Sequence, residues 1–366
     1  MTNLETTGTP APRAAANRPR RFGFGDRPRR MRGRRVTPPM GLVAVAVLAV
    51  LGYMVPTLVF GTHGMEVLLN GVLLGLMALS VGFLLNLLGW VSFGAAVFSG
   101  GGAYLFAILG VSSQMQLMTA AILAVVGATL GAILIGLIFV RSRALVFTML
   151  TLALGQLLLE FVSLDPLRKL TGGSDGLSVQ YNGTLLGLSA RQLADPIVFW
   201  PVVWTVALAA WALAQTVTKT RLGRMLRGIR ENEPRMQHAG FGTYLPKLAA
   251  FGISGFLGAV AGVLQAVHTG FISPDLLGFG ASGNAIIAAL IGGYGSPFGA
   301  VLGGVLLIWG QGQFGAGGQL YLYTGIAVVV VISLFPQGIV GLLQSGWRQI
   351  SHRLRRQKGV DDAVID

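Results

Sequence analysis

The 366-residue chain has no cysteine, only four lysines and four histidines, and just 13 acidic residues. Without cysteine there are no disulfides, no thiolate metal sites and no cysteine nucleophile. The histidines, at 63, 238, 268 and 352, are scattered, and no HExxH or paired-carboxylate cluster lies inside an apolar run. No metal or acid–base constellation is therefore expected, and the chain reads as a non-enzyme without a cofactor. Only Lys219 is followed by Ser or Thr, and Thr218 precedes it where a phosphate-binding GxxxxGK[ST] loop needs glycine. ATP hydrolysis by that device is therefore not expected of this chain. Ionisable groups are scarce inside the apolar runs too, with Glu66, Glu160 and His268 all near run ends. A carboxylate at a bilayer centre costs about 2.5 kcal/mol or more, so this scarcity argues against an acidic proton relay.

What is abundant is apolar. Hydrophobic residues make up 53% of the chain, with 54 glycines and a mean hydropathy of +0.69. These values predict an all-α polytopic membrane protein in contact with lipid. The net charge of +14 does not point to nucleic acid, because the basic residues sit in clusters between apolar runs. Ten arginines lie within 13–35, six basic residues within 219–235 and five within 348–358. Clusters of this kind flank membrane helices on their cytoplasmic side. Residues 1–38 read as a disordered basic cytoplasmic arm, 39–343 as the membrane domain and 344–366 as a cytoplasmic tail.

A span needs about 20 apolar residues. Seven are expected near 40–60, 66–89, 92–112, 117–140, 144–163, 196–215 and 248–270. Beyond Gly270, positive-inside charge requires an odd number of crossings, met by short helices near 283–295 and 298–314 and a last span at 319–336. About ten transmembrane helices with both termini cytoplasmic result, with GGYGSPFG (292–299) as a hairpin, an outer loop at 164–195 and an inner loop at 216–247.

The inner loop carries eight charges in the seventeen positions 219–235. Leu222, Met225, Leu226 and Ile229 recur at helical spacing, while Arg221, Arg224, Arg227 and Arg230 step by three around the other side. Pro234 cannot continue that helix, Asn232 or Glu233 can cap a second one, and Gly240 suits its stop. Orientation alone would explain the arginines. It does not explain Glu231 and Glu233 beside them, nor paired short helices, which suit docking into a cleft with fixed register.

This loop, followed by LPKLAAFGISGFLGAVAGVLQAVHTGFISPDLLGFGASGNAIIAALIGGYGSPFGAVLGG (245–304), resembles the permease subunits of branched-chain amino-acid ABC importers. LTGGSDGLS, SFGAAVFSGGGAY and LFPQGIVGLL extend the resemblance over roughly 86–343. It implies a bacterial inner-membrane permease working with a second, homologous or identical permease, two cytoplasmic ABC ATPases and a periplasmic or lipid-anchored binding protein. It also implies an ATPase-coupling loop that includes Leu222, Gly223, Arg227, Arg230, Glu231, Asn232, Glu233, Arg235 and Gly240. Candidates for the translocation path are Asn86, Ser92, Gln156, Ser282, Asn284, Gly292 and Gly293. Gly172, Gly173, Ser174 and Asp175 are either a contact for the binding protein or only a turn. Gln156 and Asn284 stand where relatives carry carboxylates, so a urea or short-amide importer is the alternative substrate class, and a stand-alone channel or carrier the alternative mechanism.

Overall fold

The computed structural model describes residues 52–54, 56, 61–113, 115–179, 184–185, 187–314, 325–326 and 338. The spans expected at 40–60 and 319–336 lie essentially outside these residues, as do the basic arm and the tail. The described helices run in chain order as α1 (Thr62–Leu88), α2 (Gly94–Ser113), α3 (Leu117–Phe139), α4 (Ala144–Ser163), the single turn α5 (Arg168–Thr171), α6 (Ala190–Ala194), α7 (Pro196–Lys219), α8 (Arg221–His238), α9 (Tyr244–Thr269), α10 (Phe279–Gly292) and α11 (Pro297–Phe314). Among them α1, α3, α4, α7 and α9 are each long and apolar enough to cross a membrane. α10 and α11 meet that test only when taken together, bent by 116° between the two halves as a broken span or a re-entrant hairpin. The apolar part of α2 stops short of that length.

The segment between α4 and α7 holds structure that helical periodicity does not announce. Two-residue strands β1 (Leu177–Ser178), β2 (Thr184–Leu185) and β3 (Leu188–Ser189) form there, and β4 (Phe271–Ile272) follows α9. β1 pairs antiparallel with β4, and β2 with β3. Asp195 then caps α7, its carboxylate accepting from the Ile197 N–H at 2.9 Å, with Pro196 at the first helical position.

Burial separates centre from rim. The most apolar windows of α1 and α9 are 78% buried, against 22% for α3 and 17% for α4. α3 and α4, equally apolar, therefore lie at the rim of the bundle, while α1 and α9 form its middle. They are joined there by a reciprocal bond. Ser80 Oγ donates to the Ser254 carbonyl at 2.8 Å, and Ser254 Oγ donates to the Ser80 carbonyl at 3.0 Å. Interhelical hydroxyl bonds in membranes contribute about 0.6–1.7 kcal/mol each. The Ser80→Ala/Ser254→Ala double variant is therefore expected to fold but to lose about 1–2 kcal/mol of stability, read as an earlier unfolding midpoint in detergent.

Glycine lets the remaining helices reach this centre. A Cβ on Gly75 would lie 2.7 Å from the Val301 Cα, and one on Gly304 would lie 2.4 Å from the Gly75 nitrogen, so α1 and α11 touch backbone to backbone. The hairpin expected at GGYGSPFG is present as the 293–296 turn, with α10 beginning and ending a few residues earlier than the hydropathy suggested. Its two arms close on each other. A Cβ on Gly292 would sit 1.7 Å from the Gly299 carbonyl oxygen, and one on Gly303 would sit 1.9 Å from that of Ala288.

Candidate functional site

α8 is the most amphipathic element, and its sequence explains both halves. In the first half Gly223, Leu226 and Ile229 are buried, Leu222 and Met225 flank them, and Arg221, Arg224, Arg227 and Arg230 are exposed. The helix breaks at Asn232, whose φ of −161° and ψ of 95° are extended. Asn232 Oδ1 accepts from the Arg235 N–H at 2.9 Å, so Asn232 is the cap of the second half and Pro234 falls in its first turn, where the missing N–H is harmless. At the far end Gly240, at φ +82°, donates to the Gln237 carbonyl at 2.9 Å and Phe241 to that of Met236 at 3.1 Å. That two-bond stop needs a left-handed residue, and glycine supplies it. The expected helix, break and helix are all present.

Three contacts tie α8 to the bundle. Arg230 Nη1 donates to the Asn86 carbonyl at 2.7 Å and lies over Gly89, the left-handed residue that ends α1. Asn86 Nδ2 in turn reaches the Gly295 carbonyl in the α10–α11 turn at 3.5 Å. Arg227 Nη2 donates to the Thr218 carbonyl at the end of α7. Glu233 receives hydrogen bonds from Thr243 Oγ1 at 3.0 Å and from the Lys247 ammonium, whose side chain is only 6% exposed. Glu231 and Arg235 point outward and are exposed. Lys247 and Thr243 were not singled out from the sequence, although a lysine one turn into an otherwise apolar helix was the available signal.

A second group of residues gathers where the chain is not helical. Between α1 and α2, residues 89–93 run without helix. Thr148 Oγ1 on α4 donates to the Val91 carbonyl at 2.8 Å, and Thr151 Oγ1 accepts from the Phe93 N–H at 3.2 Å. Ser92 Oγ accepts from the Gly94 N–H at 3.1 Å. Ser282 on α10 donates to the Phe93 carbonyl and accepts from the Ala96 N–H at 3.1 Å. Such backbone survives in an apolar bundle only when each polar group finds a partner, and here hydroxyls supply them. Thr148 and Thr151 read in sequence as ordinary helix positions. Their role depends on a chain segment 57 and 58 residues away.

The second non-helical stretch, residues 270–278, ends beside the first. Its 3₁₀ turn, Pro274–Leu277, is wedged between α2 and α4, with Leu277 Cδ2 2.6 Å from where a Cβ on Gly100 would stand and its carbonyl oxygen 3.2 Å from one on Gly155. Phe279, which opens α10, stacks on Phe93 at 5.3 Å and is 59% exposed. Two interrupted elements thus meet at Phe93, Phe279 and Ser282.

The remaining candidates are placed as follows. Gln156 lies on the exposed face of α4 and donates to Glu160 at 3.2 Å. Asn284 is half-buried on α10, while Gly292 and Gly293 are buried. A Cβ on Gly338 would come within 2.3 Å of the Gly293 Cα, so close backbone packing occupies that side of the turn. Gly172 and Gly173 adopt positive φ around the 3₁₀ turn Gly173–Asp175. Ser174 is exposed, and Asp175 is ion-paired to Arg168 within the same loop. Among the described residues no group of three or more His, Asp or Glu could hold a metal.

Comparison with known proteins places this architecture. The family described as branched-chain amino acid transport system / permease component matches residues 65–340. The high-affinity branched-chain amino acid transport system permease protein LivM of Escherichia coli (strain K12) is 26% identical over 253 residues, 64% of this chain and 59% of that protein. LivH of Salmonella typhimurium, named for the same system, is 29% identical over 305 residues, 76% of this chain and 95% of the relative. The autoinducer 2 import system permease protein LsrC of Yersinia enterocolitica is 32% identical over 172 residues, 45% of this chain and 44% of that protein. No solved structure matches the chain. With three quarters of its length accounted for in one continuous match, the chain belongs to the branched-chain amino acid transport permease family.

Proposed function

We infer that this chain is a permease subunit of an ATP-binding cassette importer in the bacterial inner membrane, that its cargo is branched-chain or related small amino acids, and that α8 is where a cytoplasmic ATPase docks. The observation that carries the reading is α8 itself. A helix broken at Asn232 lays an apolar stripe on the bundle, leaves Arg221, Arg224, Glu231 and Arg235 exposed outside it, and holds α1 through Arg230. Exposed charges of both signs on a rigid, capped element suit a fixed register against a partner. Force applied to α8 would reach Asn86 and the α10–α11 turn, and thence the two interrupted elements at Phe93 and Phe279.

A second permease fits the open face of α4. Met149, Leu152, Leu157 and Phe161 are exposed there, and Gln156 and Glu160 lie among them. A polar pair of this kind is costly against lipid and suits a path between two subunits. The Gly173–Asp175 loop would face a binding protein, its Arg168–Asp175 pair fixing its shape. The similarity to LivM and LivH favours amino-acid cargo over urea, short amides or a stand-alone carrier.

The test is transport by the complex that a tag on this chain carries out of its native membranes. In proteoliposomes supplied with its binding protein, leucine uptake is expected only with ATP, with urea and acetamide failing to compete. ATP-independent uptake by this chain alone would sink the importer reading.

A further inference from the structure

Lys247 is the one buried ammonium among the described residues, and two elements converge on it. Its Nζ donates to Glu233, on the second half of α8, and sits 4.9 Å from the ring centroid of Trp90. Trp90 belongs to the non-helical segment between α1 and α2, and is itself buried. Behind it the contacts continue as aromatic pairs, Trp90 with Phe147 at 4.8 Å and Phe147 with Phe251 at 5.4 Å, into α4 and back to α9.

A buried ammonium must keep its counter-ion, because removing one partner strands the other in a low dielectric. Glu233 is the only carboxylate paired with it in the described structure. If the second half of α8 moves, Lys247 must follow it or lose that anion. Following it would draw the charge off the face of Trp90, a contact that depends on position over the ring. The movement of α8 is thus read at the broken segment through one side chain.

We propose that Lys247 is a positioning residue, a latch that ties the second half of α8 to the interrupted backbone at Trp90 and converts displacement of α8 into movement of that segment. The proposal rests on the coupling role of α8 and adds the side chain through which coupling passes. It is separate from the Arg230–Asn86 contact, which holds the first half of α8.

The test uses the same tagged complex with Val91→Cys beside Trp90 as a reporter, in a subunit that has no other thiol. With Lys247 intact, the rate of maleimide labelling is expected to differ at least threefold between the nucleotide-free and the ATP–vanadate-trapped complex. Lys247→Met, which keeps the length of the aliphatic stem but lacks the ammonium, is expected to erase that difference while the ATPase chains still co-purify. Lys247→Arg keeps a cation within reach of Glu233 and is expected to preserve it. The Lys247→Met/Glu233→Gln double variant leaves no charge stranded, so it serves where the single variant fails to accumulate, and it is expected to behave identically. A full nucleotide-dependent difference in either neutral variant overturns the latch. No difference with Lys247 intact would overturn the coupling reading itself, and the latch with it.

Discussion

Gly303→Val is expected to yield no folded permease. A Cβ there would stand 1.9 Å from the Ala288 carbonyl oxygen and 2.8 Å from the Gly292 nitrogen, both backbone atoms that cannot swing aside. The two arms of the α10–α11 hairpin would have to part, and α11 would lose its seat on α1, where Gly304 already lies 2.5 Å from the Gly71 carbonyl oxygen measured from its own ideal Cβ. Overpacking against backbone belongs with the largest single-residue effects, about 4–5 kcal/mol or more, a large share of the roughly 5–15 kcal/mol that holds an ordinary domain folded. Gly292→Val is expected to do the same, its Cβ meeting the Gly299 carbonyl oxygen at 1.7 Å. Gly283→Ala is the contrast, because nothing lies within 4 Å of its Cβ. That variant should fold normally and gain about 0.5–1 kcal/mol from helix propensity. The check is monodisperse yield in detergent together with the unfolding midpoint, and a well-folded Gly303→Val protein would show that the hairpin is more open than described.

Removing outward charges from both halves of α8 is expected to disconnect the permease from its ATPase. The Arg224→Ala/Glu231→Ala/Arg235→Ala variant leaves Arg230 on the Asn86 carbonyl and Glu233 in place, so α8 stays tied to α1 and the buried Lys247 keeps its partner. All three truncated side chains are exposed, and surface changes of this kind cost little stability. At an interface the same groups set register, and truncating desolvated charges there costs about 2–5 kcal/mol of affinity. Co-purified ATPase is expected to fall at least tenfold, and ATP-dependent uptake with it. Undiminished ATPase in a folded triple variant would move the docking site away from α8.

The helices were legible where chemistry is local. Apolar length located α1, α3, α4, α7 and α9, and the α8 break followed from Asn232, Pro234 and Gly240, since caps and proline act within a few residues. The hairpin at 293–296 was legible for the same reason. Less legible was what the glycines do. Gly292 and Gly303 hold two helix arms in contact, and Gly100 and Gly155 make room for Leu277. Small residues serve close packing and open backbone equally well, so composition does not separate the two.

Membrane class, family and the helix–break–helix at 221–240 can be read along the chain, because hydropathy, capping and charge clusters are local features. Which polar groups meet follows instead from how the helices pack. Ser80 bonds Ser254 across 174 positions, Arg230 reaches Asn86 across 144, and Ser282 completes the backbone of Phe93 across 189. Pairings at such distances leave no periodicity to read. They exist because buried polar groups must find partners wherever packing brings the chain together.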